Sequence, residues 1–210
     1  MSGLFITIEG TDGSGKSTQI DLLSKYLTSK GYNVICTREP GGTPISEKIR
    51  EIIIDKNNSD MTDMTEAMLY AAARAQHVSQ VIIPALNEGD IVISDRFTDS
   101  SVVYQGFARS MGERFIKNIN KYATGDLDPD ITFLLKLKPE EGLARKKAQA
   151  ELDRLEAEKF SFHQRVYDGY VRLAKRHKER IKVIDALKSI DEIHSEIVEG
   201  IEELLNKNSI

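Results

Sequence analysis

The sequence predicts an α/β protein built on an open, five-stranded parallel sheet with helices on both faces and a short mobile lid. Five apolar runs rich in Ile, Val, Leu and Phe recur along the chain, at residues 4–9, 33–37, 90–95, 130–137 and 182–186. Several are apolar at consecutive positions, the pattern of strands buried on both faces of a parallel sheet. Long segments of helical spacing separate them, and regular strand–helix alternation builds open α/β sheets. Ligands of such sheets bind beyond the carboxyl ends of the strands, so the residues that follow each run are the ones to read for function.

The first run leads into Gly10-Thr11-Asp12-Gly13-Ser14-Gly15-Lys16-Ser17-Thr18, a complete G-x-x-x-x-G-K-[ST]. Ile20, Leu23 and Leu27 then form a helical stripe. Strand, glycine loop and helix are the context in which this motif cradles the phosphates of a nucleoside triphosphate. The glycines let backbone N–H groups turn inward, and the helix adds its positive N-terminus. Lys16 is expected to reach the β- and γ-phosphates, and the Ser17 hydroxyl to bind Mg²⁺. The second run contains Cys36, read as a small buried hydrophobe. It ends in Thr37-Arg38-Glu39-Pro40-Gly41-Gly42-Thr43, where proline and glycines form a tight turn that holds Arg38. Arg50 follows in a helical segment. Glu66, Tyr70 and Arg74, spaced i, i+4, i+8, share one face of the next helix, as a ligand-facing row or an ordinary salt-bridged surface. The third run ends in Ser94-Asp95-Arg96. Asp95 stands where a carboxylate lies near the metal, or else it caps the next helix. Pro139-Glu140-Glu141 reads as a helix start. Residues 140–159 carry 11 charged side chains in 20 positions, the composition of an exposed helix or of a flap over a charged ligand. Phe160, His163, Val166, Tyr167, Tyr170, Leu173 and Ala174 form a further helical stripe.

The 210 residues suggest one domain, with residues 140–159 as its appendage. Hydrophobic residues are 40% and charged residues 30%, the balance of a globular chain. The 29 Lys+Arg against 33 Asp+Glu give a net charge of −4, which excludes a globally basic nucleic-acid binder. One cysteine excludes a disulfide framework and a cysteine-based zinc site within the chain. The N-terminus lacks a basic segment and no apolar stretch approaches membrane-spanning length, so a cytoplasmic protein with no membrane partner is expected. Arginines placed at two strand ends of an acidic protein point to a specific use. The P-loop already serves the triphosphate, and arginine binds phosphate with a planar fork. Arg38 and Arg96 therefore imply a second phosphate, on an acceptor, and phosphoryl transfer rather than hydrolysis. An attacking phosphate oxygen needs no general base, so His77, His163, His177 and His194 are read as surface or helix packing. A regulatory GTPase switch is the rival class. Against it, Asn120-Lys121-Tyr122-Ala123 lacks the acid that reads guanine, and Asp95-Arg96-Phe97-Thr98 lacks the switch glycine.

The P-loop after Phe5-Ile6-Thr7-Ile8-Glu9, the Thr37–Thr43 block, Glu66-Ala67-Met68-Leu69-Tyr70-Ala71-Ala72 before Arg74, Asp95-Arg96, Asp99-Ser100-Ser101 with Tyr104-Gln105-Gly106, and Leu152-Asp153-Arg154-Leu155-Glu156 together resemble the bacterial thymidylate kinases. The similarity covers nearly the whole chain. It implies the P-loop kinase fold and transfer of a phosphoryl group from ATP, with Mg²⁺, to deoxythymidine monophosphate. Another nucleoside monophosphate kinase is the nearest alternative. It also implies residue roles. Residues 10–18 would bind ATP, and Ser17 and Asp95 the metal. Asp12 would meet the sugar 3′-hydroxyl, and Arg38 and Arg96 the acceptor phosphate. Tyr70 would stack on the base, where the family more often has phenylalanine. Arg74, Ser101 and Gln105 would hydrogen-bond the base, Arg50 would lie beside base and sugar, and Tyr104 would pack against C2′. Residues near Asp185 and Ala186 would pass close to adenine. Some family members carry an arginine directly after the P-loop acid. Gly13 stands there instead, so a catalytic lid cation is expected from Arg145, Lys147 or Arg154. The resemblance further implies a homodimer.

Overall fold

The computed structural model describes residues 3–147 and 153–208. Five parallel strands, β1 (Leu4–Gly10), β2 (Val34–Arg38), β3 (Ile91–Asp95), β4 (Ile131–Lys136) and β5 (Ile181–Asp185), form one sheet in the order β2-β3-β1-β4-β5. Each expected run becomes a strand whose ends lie within one residue of the expected ones. The helices are α1 (Lys16–Ser29), α2 (Pro44–Ile54), α3 (Asp63–His77), α4 (Ile83–Glu88), α5 (Thr98–Ser101), α6 (Glu113–Thr124), α7 (Pro139–Lys147), α8 (Phe160–Arg176) and α9 (Ile190–Asn208).

Parity along β1 sorts the core. Leu4, Ile6 and Ile8 face a cluster shared with Leu23 and Leu27 of α1 and with Ile193, Ile197 and Ile201 of α9. Phe5 faces the other way and meets the Phe97 ring edge-on at 4.9 Å. Thr7 and Glu9 share its parity, so the alternation carries a carboxylate into the interior beneath the P-loop.

Burial on both faces holds for β1, β3 and most of β4, but not for the sheet edges. In β2, Ile35, Cys36 and Arg38 are exposed, and in β5 Lys182, Val183 and Asp185 are. Each edge strand has one neighbour and little covering it, so Cys36 is an exposed free thiol rather than a buried hydrophobe. In α8 the core position falls on Phe162, while Phe160 is exposed.

Two π-helical segments interrupt the expected α-helices. Val78–Ile82 joins α3 to α4, and Val102–Ala108 continues α5. In the second, the Arg109 N–H donates to Tyr104 O at 2.9 Å, a five-residue step. The wider turn carries Tyr104 and Gln105 to the cleft at the strand ends. Among the described residues, no helix is long and apolar enough to cross a membrane.

Candidate active site

A cleft of about 570 Å³ opens at the carboxyl ends of β1, β2 and β3. At its P-loop end, Gly15 caps α1 in the left-handed conformation, so the helix N-terminus points into the loop. Lys16 is buried, with Nζ donating at 3.4 Å to Gly10 O and Thr11 O and lying 4.0 Å from Asp95 Oδ1. Burial lowers its pKa first and the Arg96 charge lowers it further, while Asp95, Asp12 and Glu9 oppose. Asp95 Oδ1 is buried without a hydrogen-bond partner. Together with the Ser17 hydroxyl in the same cleft, that orphaned oxygen fits a hard divalent cation or its water. No group of three or more His, Cys, Asp or Glu among the described residues could hold a metal by itself.

Helix α7 is seated on the loop. A Cβ on Gly142 would lie 2.5 Å from Asp12 O, and one on Gly13 would lie 2.5 Å from Gly142 O. Gly13 also has φ +77°. These two glycines permit a backbone-to-backbone contact that no side chain at either position would allow. An arginine at position 13 would collide with this joint. Arg145 extends from the same helix, with Nη1 donating to Gly13 O at 3.3 Å and Nη2 to Ala186 O at 3.4 Å. It thus spans the phosphate loop and the turn after β5.

At the other end of the cleft, Arg96 follows β3 with φ +70°, a costly conformation for a side-chain-bearing residue. Four hydrogen bonds hold it there. Its N–H donates to Ile8 O at 3.0 Å, its carbonyl accepts from Ser94 Oγ at 2.7 Å, and its guanidinium binds Asp12 Oδ1 at 2.7 Å and Gly10 O at 2.8 Å. The guanidinium also lies 5.4 Å from the Tyr104 ring centre. Below it, Glu9 Oε2 accepts from Ser100 Oγ at 2.6 Å and Tyr170 OH at 2.8 Å, while Oε1 accepts from Phe97 N at 2.8 Å. Burial and the nearby Asp99 charge raise the Glu9 pKa, against the pull of Arg96 and its two hydroxyl partners. Burial likewise raises the phenols of Tyr70, Tyr104 and Tyr170, keeping all three neutral.

Arg38 is paired with Glu47 at 2.7 Å, and Arg50 Nη1 donates to Pro40 O at 3.0 Å. Arg74 is 2% exposed and fixed by four partners: Glu39 Oε2 at 2.7 Å, Asn120 Oδ1 at 2.7 Å, Ser101 Oγ at 3.0 Å and Phe97 O at 3.1 Å. It is not part of a surface ion-pair row, because Glu66 and Arg74 each take different partners. His77 is buried as well. Its Nδ1 lies 3.1 Å from Glu39 Oε1 and its Nε2 2.6 Å from Thr37 Oγ1. Glu39 thus holds Arg74 from one side and His77 from the other, a tighter role than loose helix packing.

The cleft gathers Asp12, Gly13, Gly15, Lys16, Ser17, Thr18, Arg38, Arg50, Tyr70, Arg74, Asp95, Arg96, Ser101, Tyr104 and Gln105. Gly10, Thr11 and Ser14 lie within the loop behind it. Arg154 does not reach the P-loop. Its Nε donates to Ile53 O at 2.7 Å and its Nη2 to Glu66 Oε2 at 2.7 Å, which pins the segment that begins at Asp153 to α2 and α3. The side chain of Lys147 falls outside the described residues. Sequence reasoning placed Glu66 on the right helix face without its partners, and it missed the roles of Glu9, Glu39, Asn120 and Tyr170 and the network role of His77. Strand parity was the one available signal, and it could have found Glu9.

The sequence matches a family model described as thymidylate kinase over residues 8–197. A thymidylate kinase of Exiguobacterium sp. is 48% identical over 210 residues, covering 100% of this chain and 99% of the relative. One from Symbiobacterium thermophilum is 50% identical over 202 residues, covering 96% and 94%. Among solved structures, the thymidylate kinase of Ehrlichia chaffeensis superposes with a TM-score of 0.78 at 34% identity, covering 96% of this chain and 99% of that one.

Proposed function

The chain belongs to the thymidylate kinase family, and from that premise we propose how its residues carry out the reaction. It transfers the γ-phosphoryl group of ATP to deoxythymidine monophosphate, giving the diphosphate and ADP. The family assignment sets aside the GTPase-switch reading. The observation that carries the residue assignments is a single cleft running from the P-loop to Tyr70, Arg74 and Gln105, with the Arg96–Asp12 pair at its middle.

The loop amides and Lys16 receive the β- and γ-phosphates. Ser17 and Asp95 would hold Mg²⁺, which would supply positive charge toward the phosphates. Arg96 and Arg38 exchange their carboxylate partners for the acceptor phosphate and hold it in line with the γ-phosphorus. An ionised acceptor oxygen attacks, and the bond from phosphorus to the β–γ bridging oxygen breaks. Both oxygens start and finish without a proton to move, so no histidine is needed. Asp12 takes the sugar 3′-hydroxyl. Tyr70 stacks on the base, Arg74, Ser101 and Gln105 read its edge, Arg50 lies beside base and sugar, and Tyr104 covers C2′. Arg145, seated between Gly13 and Ala186, is the lid cation best supported by geometry. Lid closure excludes water that would otherwise take the phosphoryl group.

We also infer a cytoplasmic homodimer. ATP and a nucleoside monophosphate are cytoplasmic metabolites. Ile45 and Ile52 on α2, Met64 and Met68 on α3, and Phe115 and Tyr122 on α6 are exposed apolar side chains. They lie on adjacent helices, a pattern that supports a covered interface. Light scattering that gives the mass of one chain at micromolar concentration would rule the dimer out. The reaction itself is tested by ADP release with ATP, Mg²⁺ and a panel of nucleoside monophosphates. Thymidylate should be the best acceptor; equal rates without acceptor would overturn the assignments.

A further inference from the structure

We propose that Glu66 is a positioning residue for base selection: it turns the Gln105 carbonyl toward the acceptor cleft and joins that orientation to the lid arm bearing Arg154. The inference rests on the reading that the Tyr70–Arg74–Gln105 end of the cleft receives the base.

Glu66 lies on α3, one turn before Tyr70, and is 1% exposed. Three side chains converge on it. Gln105 Nε2 donates to Oε1 at 2.8 Å, Arg109 Nη2 to Oε2 at 3.1 Å, and Arg154 Nη2 to Oε2 at 2.7 Å. Burial opposes its ionisation, but the bonds from Gln105 and Arg109, the Arg109 charge and the bond from Arg154 outweigh that and lower its pKa. A carboxylate only accepts hydrogen bonds. Flipping the Gln105 amide would set carbonyl oxygen against carboxylate oxygen in a buried place. Glu66 therefore fixes Nε2 toward itself, and Oε1 is the atom left for the cleft that Gln105 lines.

Arg74 stands at the same end of the cleft and can only donate. One fixed donor and one fixed acceptor complement a pyrimidine that shows a C4 carbonyl and an N3–H, as thymine and uracil do. Cytosine shows a 4-amino donor and a bare N3, and it mismatches both. The selectivity then depends on a residue that need not touch the base. The same carboxylate is bound by Arg154, whose N–H also donates to Ile54 O at 3.2 Å, and by Arg109, which pairs with Glu158 at 2.6 Å. The arm that returns from the lid and the orientation of the base-reading amide thus share one anchor.

The test compares kcat/KM for thymidylate and deoxycytidylate in Glu66→Gln. A glutamine there can donate as well as accept, so the Gln105 amide is released to flip. The thymidylate-to-deoxycytidylate ratio should fall by at least about tenfold, on the scale by which a lost polar match changes selectivity. Gln105→Met should lower the ratio by itself, and adding Glu66→Gln to it should change the ratio no further. A folded Glu66→Gln that slows both substrates alike, while Gln105→Met lowers the ratio, would overturn the inference and leave the base site standing. A Gln105→Met variant with unchanged thymidylate kinetics and unchanged ratio would overturn the base-site reading itself. Should Glu66→Gln not fold, the unmodified enzyme decides. The Gln105 side-chain amide protons should be protected from hydrogen exchange by NMR in the free protein, and rapid exchange would overturn the inference.

Discussion

Replacing Gly142 by alanine isolates the joint between α7, the proposed lid helix, and the P-loop. The added Cβ would lie 2.5 Å from Asp12 O. Carbon and carbonyl oxygen approach no closer than about 3.3 Å in ordinary contacts, so α7 must withdraw by roughly 0.8 Å or push the loop back by as much. Both routes damage the reacting geometry. Withdrawal draws Arg145 off Gly13 O, and pushing the loop shifts Asp12, which holds Arg96 at 2.7 Å. A misplacement of about 1 Å costs on the order of 100-fold in rate, so kcat should fall by about 10- to 100-fold. Stability should move the other way or not at all, because alanine in a helix interior is favoured over glycine by about 1 kcal/mol. The assay pairs ADP release at saturating ATP and thymidylate with thermal melting. Reduced kcat with an unchanged or raised Tm is expected. A kcat within twofold of wild type would show that the joint is not needed, and a sharply lowered Tm would show that the core, not the lid, absorbs the strain.

Arg96→Ala should weaken thymidylate by on the order of 1.5–3 kcal/mol while leaving ATP nearly untouched. Arg38→Ala should do the same at the lower end of that range, because Arg38 is half exposed and water screens it. Titration with each nucleotide separates the effects, and loss of ATP affinity alone would reverse the two phosphate sites. ATP binding should take up protons at alkaline pH. Burial lowers the Lys16 pKa in the free protein, a polyphosphate beside it favours the charged form, and between the two values the bound state holds more protons. Calorimetry in buffers of different ionisation enthalpy measures the uptake, and none on the alkaline side of neutrality would refute that coupling. Tyr104→Ala should narrow the preference for deoxyribose over ribose by about 1–3 kcal/mol, since the wild-type ring leaves a 2′-hydroxyl unpaired. An unchanged ratio of specificity constants would reduce Tyr104 to packing against Phe162 and Tyr170.

The strands were legible because apolar runs bounded by turn residues carry their own boundaries. Which strands lie at the edges was not, because run composition does not encode sheet order. Cys36 sits among Val34, Ile35 and Thr37 as a core residue would, yet β2 pairs only with β3. The P-loop was legible because its chemistry is local: nine consecutive residues hold loop, cation and metal ligand. The acceptor site depends on pairs far apart in the chain. Glu39 reaches Arg74, Glu66 reaches Gln105 and Arg154, and Glu9 reaches Tyr170. Each is a buried carboxylate whose partner no spacing rule gives. The π-helical turn at Val102–Ala108 is similarly silent, since nothing in Val102-Val103-Tyr104-Gln105-Gly106 separates it from an α-helix.

These carboxylates also explain how a chain of net charge −4 can serve two polyanions. Three of the cations facing the cleft already have acids beside them. Arg96 holds Asp12 at 2.7 Å, Arg38 holds Glu47 at 2.7 Å, and Lys16 lies 4.0 Å from Asp95. A site crowded with unbalanced cations would destabilise the empty protein by self-repulsion. Pairing each with an acid removes that cost and keeps the guanidiniums oriented. On the proposed reading, substrate enters by exchange, with phosphate oxygens replacing carboxylate oxygens at donors already in position. The binding free energy is accordingly a difference between two charge-assisted interactions rather than the full strength of one. An enzyme that must release a product bearing one more phosphate than its acceptor is served by that difference, because the displaced carboxylates stand ready to take the arginines back.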